Sequence, residues 1–425
     1  MNPQPHPEQA SPAPLRPIPR DGIPAFPAIL LFALLTVASA MVGVGLFTAG
    51  TPRAETGYIR YVSIGVLVIL AFFLWRFTRS AKGLIPTLIF AGVVVYYFTA
   101  SFALTAALVS LLFAVGEGGF LLAVLPRKQL AWVPLIPILA YAAALALVRD
   151  PFVAAASLIP FPPMVALALG TRDSAEKENG LTRVGVICLT SLALGLSLAV
   201  AVVLLLYHNL GTLSPDVLIA EMENLRAALI NDITSAEIPE GMDPELVAEL
   251  EHLLTFAGAE NMINSVFNLL PAIFVVAVNL IAAVAQMAQH ATLRTFSLEE
   301  SLTDRVRAFR MSLVSCLVFT AAYLVAFMEN GDHSTLAGTV AQNVYVILMP
   351  GLALAGMVRV TAALTRKGPR GMGCLFFVVF LIPCLFVLAP FVLAAFEVIG
   401  HIFSSITSAI KPDDDSTDDP PFGNG

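Results

Sequence analysis

Charge is scarce in this sequence. Asp, Glu, Lys and Arg together make up 12% of it, about half the share found in soluble globular chains, which excludes a soluble fold. The 23 basic residues are outnumbered by 30 acidic ones, for a net charge of -7 and a pI near 5.4. The basic footprint that nucleic acid requires is therefore missing. Cysteine is equally sparse, at Cys188, Cys316, Cys374 and Cys384. All lie in apolar runs, with no C-x-x-C pair and no histidine at ligand spacing, which argues against a disulfide framework or a zinc site. Cys374 and Cys384, if they share a helix, stand roughly 15 Å apart, beyond bonding reach. No metal or other cofactor is expected.

Apolar residues take the place of charge: 58% of the 425 residues are hydrophobic, and the mean hydropathy is +0.84. The expected fold is all-α, a polytopic transmembrane helical bundle whose first partner is the lipid bilayer. Each crossing needs roughly 20 apolar residues. Eleven spans are legible, near 27–50, 59–75, 84–98, 102–125, 131–148, 152–170, 184–207, 266–292, 311–328, 338–364 and 373–400. The run 84–125 is too long for one helix, since its length would be roughly 63 Å, twice the hydrocarbon thickness. It divides at Thr99-Ala100-Ser101, as two full spans or as a re-entrant pair.

Lys and Arg accumulate in short cytoplasmic loops. With eleven spans and a cytoplasmic N-terminus, 18 of the 23 basic residues fall inside; with 84–125 as one span the split drops to 15 against 8. The expected location is the bacterial plasma membrane, with the insert 208–262 and the C-terminal tail extracytoplasmic. Ala38-Ser39-Ala40 resembles a signal-peptidase site, but the preceding Pro-rich stretch is a poor leader and the first span is read as retained. The chain divides into a disordered Pro-rich cytoplasmic leader (1–26), two additional N-terminal spans (27–83), a first membrane helical unit (84–207), the acidic helical insert (208–262), a second membrane helical unit (263–400) and an acidic disordered tail (401–425).

The insert holds eleven carboxylates against the single Arg226. Ser214-Pro215-Asp216 and Asp243-Pro244-Glu245 each supply a capping residue, Pro at the first helical position and an acid in the first turn, so a helical hairpin is expected. Leu218, Met222, Leu225, Leu229 and Ile233 form an apolar stripe on its first helix, and Leu246, Leu250, Leu253 and Ala257 form one on the second. The hairpin is either a lid over a cavity or a structural cap that docks partners. Calcium binding by its acids is disfavoured, because no D-x-D-x-D-G loop is present.

The strongest site signal lies in the following span. At about 100° per residue, Asn264, Asn268, Asn279, Gln286 and His290 fall within roughly 80° on one face. Polar groups at membrane depth need partners, and the stripe is either the wall of a solute cavity or glue between helices. Gln342 and Asn343 add to it from the tenth span. Met349-Pro350-Gly351 in that span and Ile159-Pro160-Phe161-Pro162-Pro163 in the sixth predict kinked or broken helices, a pairing seen at transporter sites. Glu117, in Gly116-Glu117-Gly118-Gly119, is the clearest intramembrane carboxylate. It serves proton coupling or cation contact, or else pairs with a basic residue of an inner loop.

No catalytic motif is found. G-x-S-G, G-x-G-D and H-E-x-x-H are all missing, Glu299-Glu300-Ser301-Leu302-Thr303-Asp304-Arg305 is one residue too long for E-E-x-x-x-R, and there is no P-loop. An enzyme is therefore not expected, and active transport would draw on an external motor or an ion gradient. The order of features resembles the YybS-like family of bacterial membrane proteins over roughly residues 84–400. It comprises the proline-rich Leu158–Pro163 span, a short basic loop, a long span, the acidic insert, Asn268-Leu269-Leu270-Pro271 opening the next span, and a basic loop before the last pairs. Proteins of that kind are similar in hydropathy to the substrate-binding subunits of energy-coupling-factor transporters and to MreD. The resemblance implies a membrane component without catalysis. Two functions follow: a transport component binding a small polar solute and served by an energising protein, or a cell-envelope scaffold that recruits envelope proteins.

Overall fold

The computed structural model describes residues 25–49, 101–125, 129–176, 181, 183–236, 247, 250–251, 254–295, 313–329, 335–365, 399–400, 403 and 406. Among them all regular structure is helical, as the hydropathy requires. The principal helices are α1 (Ala25–Ala49), α2 (Phe102–Val124), α3 (Leu135–Val148), α4 (Phe161–Glu176), α5 (Arg183–Leu210), α6 (Pro215–Thr234), α7 (Phe256–Thr295), α8 (Leu313–Met328) and α9 (Leu336–Thr365). Six described stretches are long and apolar enough to cross a membrane: Ala28–Thr48, Phe102–Val124, Leu130–Val148, Pro151–Ser174, Val184–Leu210 and Phe256–His290. Val314–Met328 and Leu336–Leu352 are shorter apolar helices. The expected spans 59–75 and 84–98 lie outside the described residues, and 373–400 does so apart from its last two.

Helix ends follow local chemistry. Ser101 caps α2, its Oγ accepting from the Leu104 N–H at 3.3 Å, so the polar break before residue 102 does open a helix. α3 stops where Arg149 takes a left-handed φ of 60°. Asp150 then caps the turn Pro151–Ala154 by accepting from the Phe152 and Val153 N–H groups. A 3-10 turn, Ala155–Leu158, follows and ends at Ile159-Pro160, so the sixth span is interrupted where its prolines predict. Pro162 and Pro163 sit in the first turn of α4, where a missing N–H costs no intrahelical bond. α5 ends at Gly211, whose φ of 69° is left-handed, with its N–H on the Tyr207 carbonyl at 2.9 Å.

The tenth span is not broken at its proline. α9 continues through Pro350 as one helix, so of the two proline interruptions only that of the sixth span breaks the helix. The eighth span starts earlier than expected: α7 starts at Phe256, ten residues before the apolar run, and carries Pro271 inside it. Asn268-Leu269-Leu270-Pro271 therefore does not open a helix.

The described residues group into two compact units, one drawn from 1–225 and 277–300, the other from 226–276 and 301–425. In the first, α2 is the most buried of the described apolar spans. Gly45 of α1 lies so close to it that a Cβ there would stand 2.5 Å from the Ala103 carbonyl oxygen and 2.7 Å from the Ala107 Cβ. Leu35, Ala38, Ala114, Phe120, Leu121 and Ile136 build one buried cluster, and Leu111, Val115, Leu167, Leu194, Val278 and Ala285 build another. α5 keeps Leu189, Leu192, Leu196, Val200 and Val203 exposed on one stripe, a face suited to lipid and to no aqueous surface.

In the second unit, Cys316 and Phe319 of α8 pack on Leu352 of α9. Ile230 of α6 packs on Ala259 and Ile263 of α7, and Arg226 donates to Glu260 at 2.8 Å. Along the apolar stripe expected on α6, burial is uneven. Leu229 and Ile233 pack, whereas Met222 is 56% and Leu225 53% exposed, and Ile230 is the one described residue of the helix that is fully buried. The second helix start, Asp243-Pro244-Glu245, lies outside the described residues.

Candidate functional site

The residues singled out in the sequence divide between the units. Glu117, Asn279, Gln286 and His290 belong to the first; Asn264, Asn268, Gln342 and Asn343 belong to the second.

In the first unit, the α2 sequence Gly116-Glu117-Gly118-Gly119 stays helical. Its glycines serve packing: a Cβ on Gly116 would meet the Ala285 carbonyl oxygen of α7 at 2.9 Å, and one on Gly119 would meet Leu167 of α4 at 2.7 Å. This close approach buries Glu117 between helices, at 3% exposure. Its Oε1 accepts from the Thr292 hydroxyl of α7 at 2.7 Å. Among the described residues the Thr292 hydroxyl is its hydrogen-bond donor. The loops 126–128, 177–180 and 296–312, where a basic partner of Glu117 is expected, lie outside them.

One turn before Thr292, Gln289 is fully buried, at 0% exposure. Its Oε1 stands 3.0 Å from the Thr171 Oγ1 of α4, which also lies 2.8 Å from the Leu167 carbonyl. Nε2 of Gln289 has no hydrogen-bond partner among the described residues. Turning the amide over only exchanges which of its two ends is unmatched. Gln286 is buried, and Asn279 and His290 are half-buried. Gln289 is the residue that the polar stripe missed. It lies about 20° outside the arc that runs from Asn264 to His290, so the angular argument reaches it. Thr292 lies farther off the stripe, and only its contact with Glu117 identifies it.

The unit also fixes relative directions. Leu111 and Val115 cluster with Val278 and Ala285, while Phe120 and Leu121 cluster with Ala288 and Leu293. α2 and the second half of α7 therefore run the same way, as they must with three crossings between them. Arg172, at the end of α4, donates to the Leu122, Ala123 and Leu125 carbonyls at 2.8 to 3.1 Å, satisfying the orphan acceptors at the end of α2. His208 Nε2 lies 3.0 Å from Asp150 Oδ2, with its ring stacked on Phe152, and joins the end of α5 to the turn after α3.

In the second unit, the Asn343 amide of α9 is committed to α7. It accepts from the Ala272 N–H at 3.0 Å and donates to the Asn268 carbonyl at 2.8 Å, with its other hydrogen on Thr339 at 2.9 Å. Asn343 is thus glue between helices and Asn268 contributes its backbone, while Gln342 is buried beside it in sequence. Among the described residues no group of His, Cys, Asp and Glu could hold a metal ion.

No curated protein and no solved structure matches the chain. The family described as "Predicted membrane protein (DUF2232)" matches residues 119–400, starting two residues after Glu117. That match covers well over half the sequence and includes α3 to α9, and the chain belongs to this family of membrane proteins.

Proposed function

We propose that this protein is a solute-binding component of a transport system in the bacterial plasma membrane, with no catalytic step of its own. In this reading the N-terminus is cytoplasmic, and the acidic insert and C-terminal tail are extracytoplasmic. The observation that carries it is Gln289, fully buried with one end of its amide unmatched among the described residues. A polar group left unpaired at membrane depth costs several kcal/mol. A polar solute would supply the missing partner, with buried Gln286 one turn away and half-buried Asn279 farther along the same helix. The likeness to YybS-like proteins, and the hydropathy they share with energy-coupling-factor substrate-binding subunits and MreD, agree with a non-catalytic membrane role.

The test is native mass spectrometry of protein released gently from its own membrane, beside the Asn279→Leu, Gln286→Leu double variant. The expected result is a small molecule that travels with the parent and is lost from the variant. No small ligand on either would overturn the reading.

One observation favours an envelope scaffold instead. Ile219, Met222 and Leu225 leave an apolar patch exposed on α6. Under that reading, deleting 214–257 releases a protein partner and the double variant keeps it.

A further inference from the structure

We infer that Glu117, Thr292, Thr171 and Gln289 form a site for a small monovalent cation, a proton or sodium, which couples an ion gradient to the solute cycle. The coupling role rests on the transport reading; the site itself rests on geometry. Three helices of one unit bring the four side chains into the bundle interior: Glu117 from α2, Thr171 from α4, and Gln289 and Thr292 from α7. All are at least nine-tenths buried. Gln289 and Thr292 are three residues apart, hence neighbours on one face of α7.

The inventory of donors and acceptors decides the class of ligand. Glu117 brings two carboxylate oxygens, and the one described donor to them is the Thr292 hydroxyl, at 2.7 Å on Oε1. The shortness of that bond is typical of a hydroxyl on a carboxylate. Thr292 has then given up its only proton and presents lone pairs. Thr171 does likewise, with its hydroxyl 2.8 Å from the Leu167 carbonyl. The unmatched end of the Gln289 amide is its carbonyl once Nε2 is turned to Thr171. The site therefore gathers oxygen acceptors around one carboxylate, the donor set that suits a small cation. An anion would meet Glu117, and an apolar ligand would leave the acceptors unpaired.

The surrounding charges do not fill that role. α1 carries no titratable residue between Ala25 and Ala49. On α4, Arg172 is taken up by the Leu122, Ala123 and Leu125 carbonyls of α2, and Asp173 accepts from the Leu181 N–H at 2.9 Å. On α7, His290 is two residues from Thr292 and half-buried. The other described acid of α7, Glu260, is paired with Arg226 at 2.8 Å.

The test uses the full chain in proteoliposomes on a solid-supported membrane, with no solute present. A jump from choline to sodium chloride at constant pH probes sodium, and a pH jump in choline probes protons. The parent is expected to give a transient charge displacement to one of the two, because a cation entering a buried site crosses part of the membrane field. Glu117→Gln should reduce it about tenfold or more, the loss expected when the only carboxylate of the site goes. Thr292→Ser should retain it, and Thr292→Val should weaken it. If Glu117→Gln does not fold, as judged by its elution, the two Thr292 variants decide. A silent parent under both jumps, a current undiminished in Glu117→Gln, or equal currents in Thr292→Ser and Thr292→Val would overturn the site. Because no solute enters this experiment, its failure leaves the mass-spectrometric test standing, and the converse also holds.

Discussion

Asn343 repairs the backbone of α7 beside Pro271. Its side-chain amide joins the Asn268 carbonyl to the Ala272 N–H, at 2.8 and 3.0 Å, the two groups that an uninterrupted helix pairs directly. Proline removes one helical hydrogen bond, and its ring crowds the carbonyl four residues earlier, which opens the helix. An amide from a neighbouring helix is a close copy of the missing peptide link. Asn343→Leu should therefore destabilise the protein by about 1–2 kcal/mol, the range for a buried hydrogen bond between membrane helices. In a Pro271→Ala background, where α7 closes on itself, the same change should cost clearly less. Thermal melts of the four proteins of this cycle measure the coupling; equal costs in both backgrounds would sink the repair.

Arg172 serves the backbone of a second helix. It satisfies three carbonyls at the end of α2. Arg172→Leu leaves them without a donor and should cost about 1–3 kcal/mol. Arg172→Lys should recover part of this, because an ammonium reaches fewer acceptors than the planar guanidinium. A melt in detergent separates the three proteins. Identical stabilities would mean that the carbonyls are served by something other than Arg172.

These two contacts show where sequence reading stops. The membrane crossings were legible because a run of apolar residues at least as long as the hydrocarbon is thick has few other uses. The start of α7 was not, since Glu260, Asn261 and Asn264 break the apolar run and Pro271 imitates a first-turn proline. Only packing of Ala259 and Ile263 on Ile230 extends the helix back to Phe256. The polar face of α7 was legible by angle, and Gln289 lies within reach of it. The partners were not: Asn343 meets α7 across more than 70 residues of chain, and Thr292 meets Glu117 across 175. Nothing local in sequence encodes a contact that two separate helices make.

The stripe on α6 offers a sharper contrast, because residues of similar hydropathy have opposite surroundings. Ile230 is 5% exposed against Ala259 and Ile263, while Met222 is 56% exposed. Ile230→Asp should destabilise by about 3 kcal/mol or more, combining lost burial with a buried charge. Met222→Asp should stay within about 0.5 kcal/mol, as surface substitutions do. Should Met222→Asp prove as costly as Ile230→Asp in a chemical melt, that face of α6 is covered in the assembled protein.

The two glycine environments separate steric room from backbone conformation. Gly116 sits in an ordinary helix, but an added methyl group would stand 2.9 Å from the Ala285 carbonyl oxygen and 3.0 Å from the Ala288 Cβ. Neither is the far end of a flexible side chain, so α2 and α7 must move apart. Gly211 has open space around it and a left-handed φ of 69°, where a Cβ costs about 1–2 kcal/mol regardless of neighbours. Gly116→Ala should cost about 1–3 kcal/mol by overpacking, and it should also disturb the Glu117 to Thr292 contact one residue away. Gly211→Ala should cost a comparable amount and leave that contact intact. Stability alone therefore cannot distinguish the two variants, but the charge displacement assigned to Glu117 can. It should fall in Gly116→Ala and persist in Gly211→Ala. A current insensitive to Gly116→Ala would mean that the spacing of α2 and α7 does not set the geometry of the carboxylate.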